Sequence, residues 1–318
     1  MHRGRGSIAA ASQLHRGRIG CGPRLYTSAM TATAPAAPSA VSAGPSPAFT
    51  PSRPSLLQPA WALARRELVR FLRQRTRIIG ALVQPVLFWV LFGVGLSGSF
   101  AMPNVAEGVG YQAYFVPGVA AMIVLFTAIF ATISIIEDRD AGFLQGVLAS
   151  SAPRLAVVLG KVGGGAVLAI GQALLFLVLA TLLPAIGAVD DFGLELTAGR
   201  IAAGVAFLAA MAVALTALGY CIAWPSRSTQ GYHAIMSVFL FPMWLLSGAF
   251  FPVEGAGWLR WVMMANPLTY GVAGLRRLMF PAETIAPSAP PLWVCWAVTL
   301  AFAAVCVAIG VRLTKRNR

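Results

Sequence analysis

Six stretches of the chain are apolar over a long distance without alternating, at about residues 78–96, 114–136, 155–183, 201–223, 232–251 and 292–311. A helix crossing about 30 Å of hydrocarbon needs roughly 20 mostly apolar residues, and each stretch is close to that length or longer. A segment facing lipid must satisfy its own backbone hydrogen bonds, so helices are the expected form. Barrel strands would alternate polar and apolar positions, which these runs do not. The pattern predicts an all-α integral membrane protein with six transmembrane helices.

Three shorter patterns lie between the spans. Leu57, Trp61, Ala64, Leu68, Phe71 and Leu72 recur at spacings of three or four, with Arg65, Arg66, Arg70 and Arg73 on other faces. That is a basic amphipathic helix of the kind that lies among lipid headgroups. After the second span, Glu137-Asp138-Arg139-Asp140 leads into a stripe of Phe143, Leu144, Val147 and Leu148. Acids at the start of a short helix suit the positive end of its dipole. Such a segment either docks another protein or rests as a plain interfacial helix. Residues 252–291 are too polar to span, interrupted at Asn266-Pro267, and too apolar for a solvated loop. Two short helices dipping into the outer leaflet, anchored by Trp258, Trp261 and Tyr270, meet both limits.

Composition narrows the class. Of 318 residues, 58% are hydrophobic and 11% charged, against about 45–50% and roughly 25% in soluble domains, which excludes a soluble globule. The net charge of +14 invites nucleic acid as a partner, yet twelve of the 24 cations precede residue 78. With the N-terminus in the cytosol, 20 of the 24 cations fall on that side and six of the ten acids on the other. The positive-inside rule then places both termini in the cytosol, and the expected location is the cell inner (plasma) membrane, with lipid rather than nucleic acid as surroundings. Residues 1–54 lack acids and are rich in Arg, Pro, Ala and Ser, a composition that favours disorder. This leader is either transit-like or the product of a start placed ahead of Met30.

Signatures of enzymatic chemistry are scarce. No G-x-x-x-x-G-K-[ST] loop occurs, since Gly160-Lys161-Val162 lacks the hydroxyl that would hold magnesium. The protein is expected not to hydrolyse ATP itself. Three histidines and four cysteines lack ligand spacing, so no metal site is expected. The spans carry no Asp, Glu, Lys or Arg near their centres, which disfavours coupling to an ion gradient through a buried carboxylate. Gln84, Thr127, Thr132, Gln172 and Thr216 are the candidate polar residues of a translocation path, or else bonds between helices. Gly160 and Gly164 have the spacing of close helix packing.

Several segments resemble the signature of ABC-2 type transporter permeases. They are Leu246-Ser247-Gly248-Ala249-Phe250-Phe251-Pro252, Trp258-Leu259-Arg260-Trp261, Asn266-Pro267-Leu268-Thr269-Tyr270 and Leu275-Arg276. Phe115-Val116-Pro117-Gly118 and Glu137-Asp138-Arg139 with Gly142-Phe143-Leu144 are similar as well, especially to drug-efflux and nodulation-factor export branches. The resemblance covers roughly 57–318. It implies an interfacial elbow helix at about 57–75, a cytosolic coupling helix at about 138–150 and an outer re-entrant hairpin at about 253–280. By the same resemblance, Glu137, Asp138, Arg139, Asp140, Gly142, Phe143 and Leu144 couple to an ATPase. Ser247, Gly248, Phe250, Phe251, Pro252, Asn266, Pro267, Leu268 and Tyr270 form the outer signature. Two permeases would pair with two separate cytosolic ABC ATPase subunits, which carry ATP and Mg, and would export an amphiphilic drug, lipid or glycolipid. A stand-alone secondary carrier and a non-transporting assembly subunit remain as alternatives.

Overall fold

In the computed structural model the described residues are 55–97, 110–185, 194, 197–250, 253, 257–282, 285 and 289–316, all within the compact unit Pro51–Arg318. The leader at 1–54, the acids Glu107, Asp190, Asp191, Glu195, Glu254 and Glu283, and the signature residues Phe251 and Pro252 lie outside them.

The order of elements is α1 (Leu57–Leu72), α2 (Arg75–Ser97), α3 (Tyr111–Asp140), α4 (Phe143–Ala149), α5 (Arg154–Ala185), α6 (Ala198–Ala223), α7 (Thr229–Ile235), α8 (Phe241–Trp244), α9 (Leu259–Ala265), α10 (Pro267–Met279) and α11 (Leu292–Arg316). No strand occurs among the described residues. Five helical stretches are long and apolar enough to cross a membrane: Tyr111–Asp140, Arg154–Pro184, Ala198–Ala223, Thr229–Ala249 and Leu292–Arg316. They coincide with five of the six expected spans. The first expected span coincides with α2, whose apolar stretch is the shorter Ile78–Gly93.

α3 is the axis of the bundle. Its apolar window is 83% buried, against 22% for the corresponding window of α11. A helix covered on all sides needs apolar residues all round, which is why α3 shows no amphipathic face. α2, α5 and α6 pack around it, and α11 leans on α6, with Tyr220 Oη and Thr314 Oγ1 2.8 Å apart.

The stretch Thr229–Ala249 is interrupted. α7 passes into a π-helical turn at Met236–Leu240, then α8, then a second π turn at Leu245–Ala249. Pro242 opens α8 without an N–H to donate back, so the ladder slips there. At Gly248 φ reaches +77°, a left-handed conformation that glycine adopts without steric cost.

The end of α3 corrects one expectation. The helix runs through to Asp140, Gly142 takes φ +74°, and α4 starts only at Phe143. Gly142 N–H donates to Arg139 O at 3.0 Å. Glu137, Asp138 and Asp140 therefore occupy the C-terminal turn of α3 rather than the start of the short helix. A helix C-terminus carries negative partial charge, so the dipole opposes these acids, and cations from other helices must compensate.

Candidate functional site

Those cations come from α1 and α5. Asp138, 1% exposed, accepts both arms of the Arg66 guanidinium, Nη1 at 2.7 Å and Nη2 at 2.8 Å. It also accepts from Arg70 Nη1 at 3.1 Å and from Lys161 Nζ. Lys161 donates further to Glu67 Oε1 at 2.6 Å and Ser134 Oγ at 3.3 Å, and Arg70 Nη2 reaches Glu137 Oε2 at 2.5 Å. Three cations thus meet three acids. Burying charge costs several kcal/mol per ion unless geometry and hydrogen bonds offset it, and here each buried ion, Asp138, Glu67 and Lys161, is met by opposite charge. The hydrogen bond to Asp138 raises Arg66 above the usual arginine pKa.

The seat of α1 on α5 follows from two glycines. A Cβ at Gly160 would stand 2.7 Å from Leu63 Cβ and 2.8 Å from Ala60 O, and one at Gly164 would stand 2.9 Å from Glu67 Cβ. The Gly160–Gly164 spacing is one turn of α5, bare of side chains, against which α1 lies. The buried edge of α1 is Leu63, Glu67 and Phe71. This differs from the predicted apolar face: Leu57 is 77% exposed and Trp61 72%. Helix α1 turns a carboxylate inward because Lys161 waits there, and leaves the neighbouring apolar sector uncovered.

The joint extends to two more elements. Arg139 donates to Ser226 O at 2.7 Å and Trp224 O at 2.5 Å, capping the end of α6. The Arg66 guanidinium lies 3.8 Å from the Phe143 ring centroid. The apolar stripe of α4 faces the bundle, with Leu144 buried and Phe143, Val147 and Leu148 packed on the core. Of the residues expected to couple to an ATPase, Asp138 and Leu144 are therefore interior, and Glu137, Arg139 and Phe143 are half-buried. Only Asp140 and Gly142 are exposed, and the exposed side of α4 itself is Gln145, Gly146 and Ala149. Asp138 through its ion pairs and Leu144 through its packing hold the segment in place.

At the other end of the bundle the signature residues stitch the broken helix to its neighbours. Gly248 O accepts from Tyr114 Oη and from Arg276 Nη2, each at 3.2 Å, and the Arg276 guanidinium lies 3.8 Å from the Tyr114 ring centroid. Asn266 Nδ2 donates to Met243 O at 2.5 Å, while its Oδ1 caps α10 by accepting Leu268 N–H at 3.0 Å. Pro267 starts α10 at the position where its missing N–H costs nothing. Ser247 is buried and bonds within its own turn, to Trp244 O at 2.5 Å. Tyr270 donates to Met264 O at 3.0 Å, and Phe250 packs 4.8 Å from Trp244, ring to ring.

The five candidate path residues divide. Thr216 bonds Ala212 O on its own helix, and Thr132 meets the Tyr232 hydroxyl at 2.7 Å. Thr127 bonds Gln172 between α3 and α5. Gln84 and Thr127 line a cavity of about 520 Å3, together with Phe130, Glu137, Thr229 and His233.

Sequence reasoning missed Glu67 and Lys161 as site residues. The signals were present: a lysine seven positions inside an apolar run that starts at Arg154, and the one acid in a basic helix. Residues 58–280, from the start of α1 to just past the end of α10, match the family described as "ABC-2 type transporter". The chain belongs to the ABC-2 type transporter family. Among similar proteins is the "Putative transport permease ycf38" of Cyanophora paradoxa, 22% identical over 226 residues, covering 70% of this chain and 74% of the relative. As an ABC-2 transport permease the chain is a multi-pass membrane protein, and the matched residues contain both the charged joint and the broken helix.

Proposed function

We propose that the protein is the permease subunit of an ATP-binding cassette exporter, moving an amphiphilic substrate with energy from a separate ATPase. The observation that carries this reading is the joint centred on Asp138 and Lys161. It ties α4 to α1, α3, α5 and α6, so a push on α4 is passed to four helices rather than absorbed locally. A cytosolic ATPase subunit docks on Asp140, Gln145, Gly146 and Ala149, and it alone carries ATP and Mg. Free energy then reaches the permease as a difference in partner affinity between two packings of the bundle.

On this reading α1 is the elbow, α2 is the first of six spans, α9 and α10 form the re-entrant hairpin, and both termini lie in the cytosol of a cell with the protein in its inner (plasma) membrane. A second permease copy completes the assembly. The substrate enters the cavity at Gln84 and Thr127, where amide, hydroxyl and carboxylate groups stand beside Phe71 and Phe130. That mixture suits a molecule with a polar head and an apolar body.

The test is reconstitution in vesicles with and without an ATPase encoded beside the gene. Substrate movement that requires both subunits and ATP is expected. Movement by the permease alone under an ion gradient would replace this reading with that of a secondary carrier.

A further inference from the structure

At the end of the bundle away from Lys161, α5, α6 and α10 leave a groove of about 190 Å3 between them. Leu174 and Val178 of α5, Val205 of α6 and Leu278 of α10 wall it, and Arg200 is the charged side chain among its lining residues. The α5 wall runs from Leu174 to Thr181, which at 1.5 Å per residue is about 10 Å along the helix axis. Gly204 lines the same groove, and a Cβ there would meet nothing within 4 Å. This glycine is therefore not required by helix packing, although glycine weakens a helix. The α6 wall is low at this position, with room for a Cβ but occupied by no side chain.

The groove is too small to seat a helix, whose diameter with side chains is about 10–12 Å, and it is nearly all apolar. Arg200 stands in the first turn of α6, toward the same end of the bundle as Thr181 near the close of α5. Its Nη1 donates to Phe280 O at 3.0 Å, which ties Arg200 to the end of α10 beside the groove. Planar guanidinium groups match phosphate oxygens in geometry and charge. We infer that the groove holds one acyl chain of an anionic phospholipid, with the lipid phosphate against Arg200. The occupant bridges α5, α6 and α10, and so steadies α10, which carries the Arg276 contact to the broken helix.

The experiment is native mass spectrometry of the full chain released from nanodiscs of phosphatidylcholine doped with phosphatidylglycerol. The wild type is expected to keep one phosphatidylglycerol under activation that strips the remaining lipid. Gly204→Phe, which fills the groove, and Arg200→Gln should each lower that retention about tenfold, while Gly204→Ala keeps it. Equal retention of the two lipids by the wild type, or undiminished retention in Gly204→Phe, would overturn the inference. The wild-type comparison decides even where a variant fails to fold. Because lipid retention is read without ATP or substrate, the outcome is independent of the proposed transport activity.

Discussion

Arg66 and Asp138, 72 positions apart, meet as a two-pronged pair with N–O distances of 2.7 and 2.8 Å. The pair registers α1 against the last turn of α3, and Lys161 closes it from α5. The acids of the Glu137-Asp138-Arg139 motif thus spend their charge inside the subunit. Their bonds tie the segment between α3 and α4 to α1 and α5, and the exposed side of α4 is Gln145, Gly146 and Ala149.

Removing Asp138 should be costly, and the cost should be recoverable. Asp138→Asn leaves three cations facing two acids. Arg66 and Arg70 have side chains 35% and 31% exposed and can turn to water, but Lys161 at 2% cannot. Loss of one partner from a buried pair costs about 3 kcal/mol, so the unfolding temperature of the detergent-purified protein should fall. Lys161 also serves Glu67 at 2.6 Å, so Lys161→Met alone strands that carboxylate, and recovery is expected only when Lys161→Met and Glu67→Gln are added together. A triple variant no more stable than Asp138→Asn would show that the loss does not come from the buried charges.

The glycine seat separates packing from composition. Gly160→Leu forces a side chain into Leu63 and the Ala60 carbonyl, whereas Gly163 has nothing within 4 Å of a built Cβ. Gly160→Leu should lift α1, seen as faster protease cleavage at Arg65 and Arg66, while Gly163→Ala leaves the cleavage rate as in the wild type.

How much of this was legible in the sequence depends on where each instruction resides. The long helices follow from apolar runs, because lipid leaves the backbone no other way to bond. The interruption at Asn266-Pro267 separates two short helices as expected, α9 and α10, since a cap and an N1 proline act within a few residues. The boundary of α4 was misplaced because acids at a helix C-terminus are explained only by Arg66, Arg70 and Lys161, which the fold brings from elsewhere. The buried edge of α1 was hidden for the same reason: Glu67 reads as a surface residue until its lysine is seen. Pro242 sits inside the fifth apolar run and suits a kink, but nothing in the pattern shows that the ladder widens into π turns around it or that Gly248 turns left-handed.

The two sides of α4 should respond differently. Leu144→Ala removes a core side chain and is expected to cost about 2–4 kcal/mol of stability. Gln145→Arg and Gly146→Trp alter exposed positions, so the melting temperature should stay within a degree or two while co-purification of the ATPase subunit drops. If Gly146→Trp binds the ATPase as well as the wild type does, the docking face lies elsewhere.

Gly248 is a second sensitive point. An L-residue at φ +77° pays about 1–2 kcal/mol, so Gly248→Ala should destabilise by that amount and Gly248→Asn by less. Tyr114→Phe removes one of the two donors to Gly248 O but keeps the Arg276 bond and ring contact. Its loss should be nearer 1 kcal/mol. Thermal unfolding followed by circular dichroism ranks the three.

The cavity makes a distinction among polar residues that look alike in sequence. Gln84 and Thr127 line it, but Thr127 also joins α3 to α5 through Gln172, so Gln84 is the cleaner probe. Gln84 is exposed, and Gln84→Leu should leave stability intact while changing the apparent KM for transport in the reconstituted complex. Thr132 is bonded to Tyr232 between α3 and α7, at 2.7 Å. Thr132→Val removes one partner of the Tyr232 hydroxyl, which keeps Ile129 O at 3.2 Å, and should lower stability by about 1 kcal/mol, with KM unchanged in the fraction that remains folded. A KM shift in Thr132→Val, with none in Gln84→Leu, would move the substrate path from this cavity into the contact between α3 and α7.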